Sequence, residues 1–167
     1  MSPAGFDGSR LKEQFTREAV RTLSVAESVT CGGLQQRIGR ISGASTFFRG
    51  GITAYDRAQK VAHLGVDAAE AAAVNSVSEL IAQQMARGVC ILFGTDFGVG
   101  TTGYAEPSPE WKAAAPYAYW AIAHVKGQFP EVVASGRIDC PGMNRASAQD
   151  RICDAVLAEL LHITEEL

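Results

Sequence analysis

Ser28 stands between a short β-branched run and a Gly pair, in the stretch Ser24-Val25-Ala26-Glu27-Ser28-Val29-Thr30-Cys31-Gly32-Gly33. A strand that ends on a hydroxyl and turns into tightly packed backbone at a helix start is how α/β proteins present a nucleophile or a phosphate cradle. Residues 34–39 read as that helix, which puts Gly32 and Gly33 in its first turn with their amides free to face a ligand. Three more polar clusters could carry chemistry: Tyr55 with Lys60; Thr101, Thr102 and Gly103; and Arg145 ahead of the last helix. Each also has an ordinary alternative. Ser28 could be an N-cap, Lys60 part of a solvated helix face, and Tyr55 a rim residue with its hydroxyl in water.

Glu27 precedes Ser28 in a strand, so the two side chains leave on opposite faces and do not act together on one substrate. Its expected role is structural, pairing an Arg or capping a helix. His63, His124 and His162 share no metal spacing. Cys31, Cys90, Cys140 and Cys153 form no C-x-x-C pair, and Cys90 and Cys153 fall inside apolar helical patterns as core residues.

The elements that must position these residues alternate between helical and strand periods. Leu11, Phe15, Ala19 and Leu23 recur at helical spacing and predict an amphipathic first helix running straight into a strand over 24–28. A turn at 43–45 leads to a strand over 47–55 interrupted by Gly50-Gly51, then short helices over 58–64 and 68–73. Ser76-Val77-Ser78-Glu79 predicts a capping box that opens a helix through Met85 and Cys90. Residues 97–103 read as a buried strand of small residues, and the loop over 104–116 as a surface segment with a functional role. Residues 117–126 and 131–137, parted by Gly127-Gln128, predict an antiparallel hairpin, and Ser147 to Asp150 a second capping box before a final helix. That helix repeats Ile152, Val156, Leu160 and Ile163 on one face. The expected fold is α/β: a single three-layer α-β-α domain over 1–167, with a mixed, mostly parallel sheet.

The chain has 167 residues, 47% hydrophobic and 20% charged, in the range of one globular domain with a sizeable core. A net charge of -3 argues against a nucleic-acid grip built from Lys and Arg. A small-molecule or protein partner is expected instead. The opening residues lack the basic and apolar regions of a signal peptide, and no apolar run approaches membrane-spanning length. The expected compartment is the cytoplasm, with no membrane partner.

Taken in order, these clusters resemble the C-terminal domain of the competence/damage-inducible CinA family, which includes nicotinamide mononucleotide deamidases. Ala26, Glu27, Ser28 and Thr30 with the Gly pair resemble the family's Ala-Glu-Ser-Cys-Thr-Gly-Gly, with Val29 and Cys31 in place of Cys and the first Gly. Gly43, Ser45, Gly51, Tyr55 and Lys60, followed by Leu64-Gly65-Val66, match its next block. Val77-Ser78-Glu79, Met85-Ala86 with Gly88, and Thr102-Gly103-Tyr104-Ala105 are similar to later ones, and Arg145 corresponds to the Arg of its Gly-Asp-Arg segment.

The resemblance implies hydrolysis of nicotinamide mononucleotide to nicotinic acid mononucleotide and ammonia, in pyridine nucleotide salvage, with no cofactor or metal. Ser28 would be the nucleophile, Lys60 its base and Tyr55 a proton relay or an orienting group. Thr30, Thr102 and Gly103 would bind substrate, Gly32 and Gly33 would serve the oxyanion or the phosphate, and Arg145 would pair with the phosphate. The family's habit implies a homo-oligomer, and a domain standing apart from the N-terminal part of long CinA proteins. Departures fall at the same places: Cys31 for a Gly, Glu106-Pro107-Ser108-Pro109 for a Gly-rich loop, Ala118-Tyr119 for Gly-Thr, and Gln149 for a frequent second Arg. They leave open a catalytically altered or silent CinA-like protein that binds a nucleotide-type ligand.

Overall fold

The computed structural model describes residues 6–167; the opening residues 1–5, part of the segment weighed as a leader, lie outside it. Thirteen elements include six α-helices and five strands: α1 Gly8–Thr16, β1 Leu23–Glu27, α2 Gly33–Gly39, β2 Phe48–Thr53, α3 Arg57–Leu64, α4 Ala68–Ala73, α5 Glu79–Phe93, β3 Phe97–Tyr104, β4 Tyr117–Val125, β5 Pro130–Asp139 and α6 Arg145–Glu166. The other two are 3-10 turns, at Ala44–Thr46 and Pro109–Trp111. The strands form one sheet in the order β2-β1-β3-β4-β5. β1 pairs in parallel with β2 and β3, β4 runs antiparallel to β3, and β5 antiparallel to β4, so only β4 opposes the common direction. The fold is the mixed three-layer α/β arrangement expected, and the 117–137 region is the expected hairpin.

The two faces are covered differently. α1, α2 and α6 pack on one face around Phe15, Leu23, Leu34, Phe97, Ile122, Ile152 and Val156. α5 lies along the other, with α3 and α4 beside it, over Ala26, Leu64, Ile81, Met85 and Val89. Cys90 and Cys153 are buried in these cores as their helical spacing predicts. Burial pushes both thiols up to about 12, which leaves them uncharged. α5 reaches the sheet because β3 gives it glycine: a Cβ on Gly98 would meet the Ala86 carbonyl oxygen at 2.3 Å, and one on Gly100 the Ala82 carbonyl oxygen at 2.4 Å.

Helix boundaries differ from the expected ones where tertiary bonds compete. α1 stops at Thr16 although Ala19 and Leu23 continue its spacing, because Leu23 is taken into β1 between Phe48 and Phe97. Asp96 fixes that approach by accepting the Thr22 amide and hydroxyl at 2.7 and 2.8 Å. α5 is capped by Ser78, which accepts the Ile81 amide at 3.1 Å, and not by Ser76. Ser76 has φ +59, left-handed rather than the extended conformation an N-cap takes. α6 starts two residues ahead of Ser147, with Asn144 as its cap, and Ser147 supplies the amide that Asn144 accepts at 2.9 Å.

A branched side chain at Gly100 has only the α5 backbone to displace. Gly100→Val is expected to lower the urea-unfolding stability by about 3 kcal/mol or more; an unchanged midpoint would mean α5 does not lie this close to β3.

Candidate functional site

The carboxyl ends of the parallel strands β1 and β3 deliver Ser28 and Thr102 to one edge of the sheet. Pairing continues past β1: the Ser28 amide donates to the Thr101 carbonyl at 3.1 Å, and the Ala54 amide to the Glu27 carbonyl at 2.9 Å. Alternation then sends Glu27 and Ser28 opposite ways. Glu27 is fully buried and turns to α2, accepting the Leu34 amide at 2.8 Å, the Gln35 amide at 3.0 Å and the Gln35 side-chain amide at 3.0 Å. A carboxylate here faces the positive end of the helix dipole. Glu27 thus takes the capping alternative foreseen for it.

Of the Gly pair expected to face a ligand, Gly33 has its amide turned back into the turn, donating to the Thr30 carbonyl at 2.9 Å, and Glu27 takes the two amides that follow it. Thr30, Gly32 and Gly33 line a separate cavity of about 240 Å³ with Arg37 and Gln149. Arg37 is paired there with Asp150 and Asp154. The buried Thr30 hydroxyl meets the Thr101 hydroxyl at 2.9 Å, tying the turn to β3. The Ser28 turn also forces Cys31 to φ +47 and Gly32 to φ +90. At Cys31 a non-glycine side chain sits in left-handed backbone.

Ser28, Tyr55, Lys60, Thr102, Gly103 and Arg145 do come together, lining one cleft of about 430 Å³. Ser28 Oγ and Lys60 Nζ donate to the same acceptor, the Tyr55 carbonyl oxygen, at 3.4 and 2.9 Å. Lys60 is no solvated helix residue: it is 2% exposed. Burial lowers its pKa to about 8, and Asp56, the N-cap of α3, counteracts that only in part. Tyr55 serves the pair through its backbone. Its ring is at the rim, 54% exposed, beside Arg145, whose guanidinium holds its proton more tightly because of Glu106 first and Tyr55 second. Thr102 donates its hydroxyl to the Ser76 carbonyl at 2.6 Å, and Gly103 has no room for a Cβ, which would meet the Tyr117 carbonyl oxygen at 2.3 Å. Both shape the wall on which the cleft closes.

One stretch of the cleft wall escaped the sequence reading. Asn75 and Ser76, in left-handed conformations, bend the chain into the cleft wall, and the Asn75 side-chain amide reaches the Tyr104 hydroxyl at 3.2 Å. An Asn there was a usable signal, since Asn is the residue besides Gly that tolerates this backbone. Gln149 donates to the Val29 carbonyl at 3.0 Å, so α6 holds the Ser28 turn through a neutral amide. The 104–116 loop contributes Glu106, Pro107 and Ser108 to the cleft, and Glu106 accepts from Arg145 at 3.1 Å.

The mixed five-stranded sheet with helices on both faces is an α/β fold shared with other solved proteins. Its solved counterparts include a CinA superfamily protein from Klebsiella pneumoniae (TM-score 0.85, 23% identity, 96% of each chain) and the competence/damage-inducible protein CihA from Agrobacterium tumefaciens (TM-score 0.82, 24% identity, 93% of this chain and 92% of that one). The profile of the CinA C-terminal domain matches residues 9–164, and the chain belongs to that family. CinA-like proteins from Picosynechococcus sp. and Rippkaea orientalis are 43% identical over 122 residues and 50% over 91, covering 71% and 54% of this chain. These matches span 29% and 22% of those relatives' own lengths. Among the described residues no helix is long and apolar enough to cross a membrane.

Replacing Glu27 by Gln removes the charge and leaves one acceptor for amides that now share two oxygens. Glu27→Gln is expected to cost about 2 kcal/mol in urea unfolding, while Lys60→Met, which removes a desolvated ammonium, keeps or raises the midpoint. A Glu27→Gln midpoint equal to wild type would contradict the capping role.

Proposed function

We propose that the cleft hydrolyses the carboxamide of a nicotinamide-nucleotide compound, converting nicotinamide mononucleotide and water to nicotinic acid mononucleotide and ammonia. The observation that carries this reading is the convergence of Ser28 Oγ and the desolvated Lys60 Nζ on one carbonyl oxygen. A lysine with a pKa near 8 is neutral in a useful fraction at neutral pH and can accept the Ser28 proton. The Ser28 oxygen then bonds to the amide carbon and the carbonyl electrons move to oxygen. Val29 follows the nucleophile directly and lines the cleft, and its amide is the donor assigned to that oxyanion in this scheme. Collapse breaks the carbon–nitrogen bond, and Lys60 returns its proton to the departing ammonia. Water repeats the cycle on the acyl-Ser28 ester with Lys60 again as base, releasing the carboxylate and restoring the Ser28 hydroxyl.

A second reading has one observation in its favour. Glu106 already pairs with Arg145, the residue expected to hold the substrate phosphate, which suits a catalytically altered or silent CinA-like protein. The two separate by experiment. The amidase reading expects ammonia release from nicotinamide mononucleotide that falls by about a thousandfold or more in Ser28→Ala and in Lys60→Ala, with both variants folded. It also expects kcat/KM to rise with pH and level off above about 8, because the neutral Lys60 amine is the active form. A rate that keeps climbing beyond pH 9 would place the essential group at an ordinary lysine pKa. Ligand-induced thermal stabilisation with no ammonia from wild type would favour the binding protein.

A further inference from the structure

Arg145 enters the cleft from the first turn of α6, and its guanidinium donates to Glu106 Oε1 at 3.1 Å. Both side chains line the cleft that holds Ser28 and Lys60. Glu106 is not carried on a loose loop. Pro107 confines the Glu106 backbone to extended conformations, and Pro109 does the same for Ser108. Ser108 and Ala113 exchange two backbone hydrogen bonds, each of 2.9 Å, that pin the next turn. The Glu106 carboxylate is exposed enough to change rotamer, yet its anchored backbone keeps it within a side chain's length of Arg145.

Any anion that pairs with Arg145 must therefore displace the Glu106 carboxylate or meet it at close range, and both weaken binding. A hydroxyl fits the same two groups without conflict, accepting from Arg145 while donating to Glu106. Resting on the amidase reading above, we propose that Glu106 is a specificity-determining residue that converts the Arg145 end of the cleft from a phosphate site to a hydroxyl site. The preferred amide is then of the unphosphorylated nucleoside type. Arg57 also lines the cleft and is the competing cation for a phosphate.

The test compares kcat/KM for nicotinamide mononucleotide and nicotinamide riboside in wild type, Glu106→Gln, Arg145→Gln and the Glu106→Gln/Arg145→Gln double variant. Wild type is expected to favour the riboside. Glu106→Gln should raise the mononucleotide-to-riboside ratio about tenfold, chiefly through KM, as removal of one carboxylate from the neighbourhood of a phosphate requires, and less so at high salt. The gain should vanish in the double variant. A ratio that Glu106→Gln leaves unchanged overturns the proposal, as does a gain that survives in the double variant and is lost only with Arg57→Gln. If wild type hydrolyses neither amide, the amidase reading fails, and calorimetry decides the role of Glu106. Nicotinic acid mononucleotide binding about tenfold tighter to Glu106→Gln than to wild type, with nicotinic acid riboside as control, supports it. Equal affinities, or no binding to either protein, overturn it.

Discussion

A fully buried carboxylate against the first turn of α2 is the contact on which the rest of the cleft depends. Glu27 satisfies the Leu34 and Gln35 amides and the Gln35 side chain together. It therefore fixes the angle at which the chain leaves β1, and with it the direction of the next side chain. A buried carboxylate is tolerable only where several donors surround it, and the free amides of a helix start are the cheapest source. Because Glu27 occupies that position from one face, Ser28 is presented on the other, beside α3. The Ser28 carbonyl then receives Cys31, the Val29 carbonyl receives Gln149 and the Thr30 carbonyl receives Gly33, so three successive carbonyls of the turn are held.

Rigidity there is matched by an unfavourable arrangement across the cleft. Lys60 is buried without an ion pair among the described residues, a placement that costs stability and lowers its affinity for a proton. The Tyr55 carbonyl gives both Ser28 Oγ and Lys60 Nζ a resting partner, which suits groups that must exchange a proton yet stay apart until a substrate arrives. Stability is sacrificed where the proposed chemistry needs it. The strained Asn75-Ser76 bend and the left-handed Cys31 lie at the same edge of the sheet.

Much of this was legible in the sequence because the signals were local. The hairpin, the glycine-rich β3 and the opposite facing of Glu27 and Ser28 follow from period and composition. The gathering of Ser28, Tyr55, Lys60, Thr102, Gly103 and Arg145 followed from resemblance. What remained hidden depended on partners distant in sequence. The helix start after the Gly pair reads as a ligand cradle until Glu27, seven residues before Leu34, is seen to take the Leu34 and Gln35 amides. Two serines at positions 76 and 78 compete for one cap, and the choice turns on a left-handed bend that the flanking helices impose. The Glu106 contact joins residues 39 apart, and sequence showed only that 106–109 stand in place of a Gly-rich loop.

In the proposed reaction Ser28 becomes acylated with Lys60 as its base. Rapid acid quench of the enzyme during turnover of nicotinamide mononucleotide, followed by peptide mass analysis, tests it directly. The account predicts a nicotinoyl group, still bearing its ribosyl phosphate, on the peptide at Ser28 in wild type and on no peptide in Lys60→Ala. Turnover without an adduct at Ser28, or with the adduct on the exposed Cys31, would contradict it.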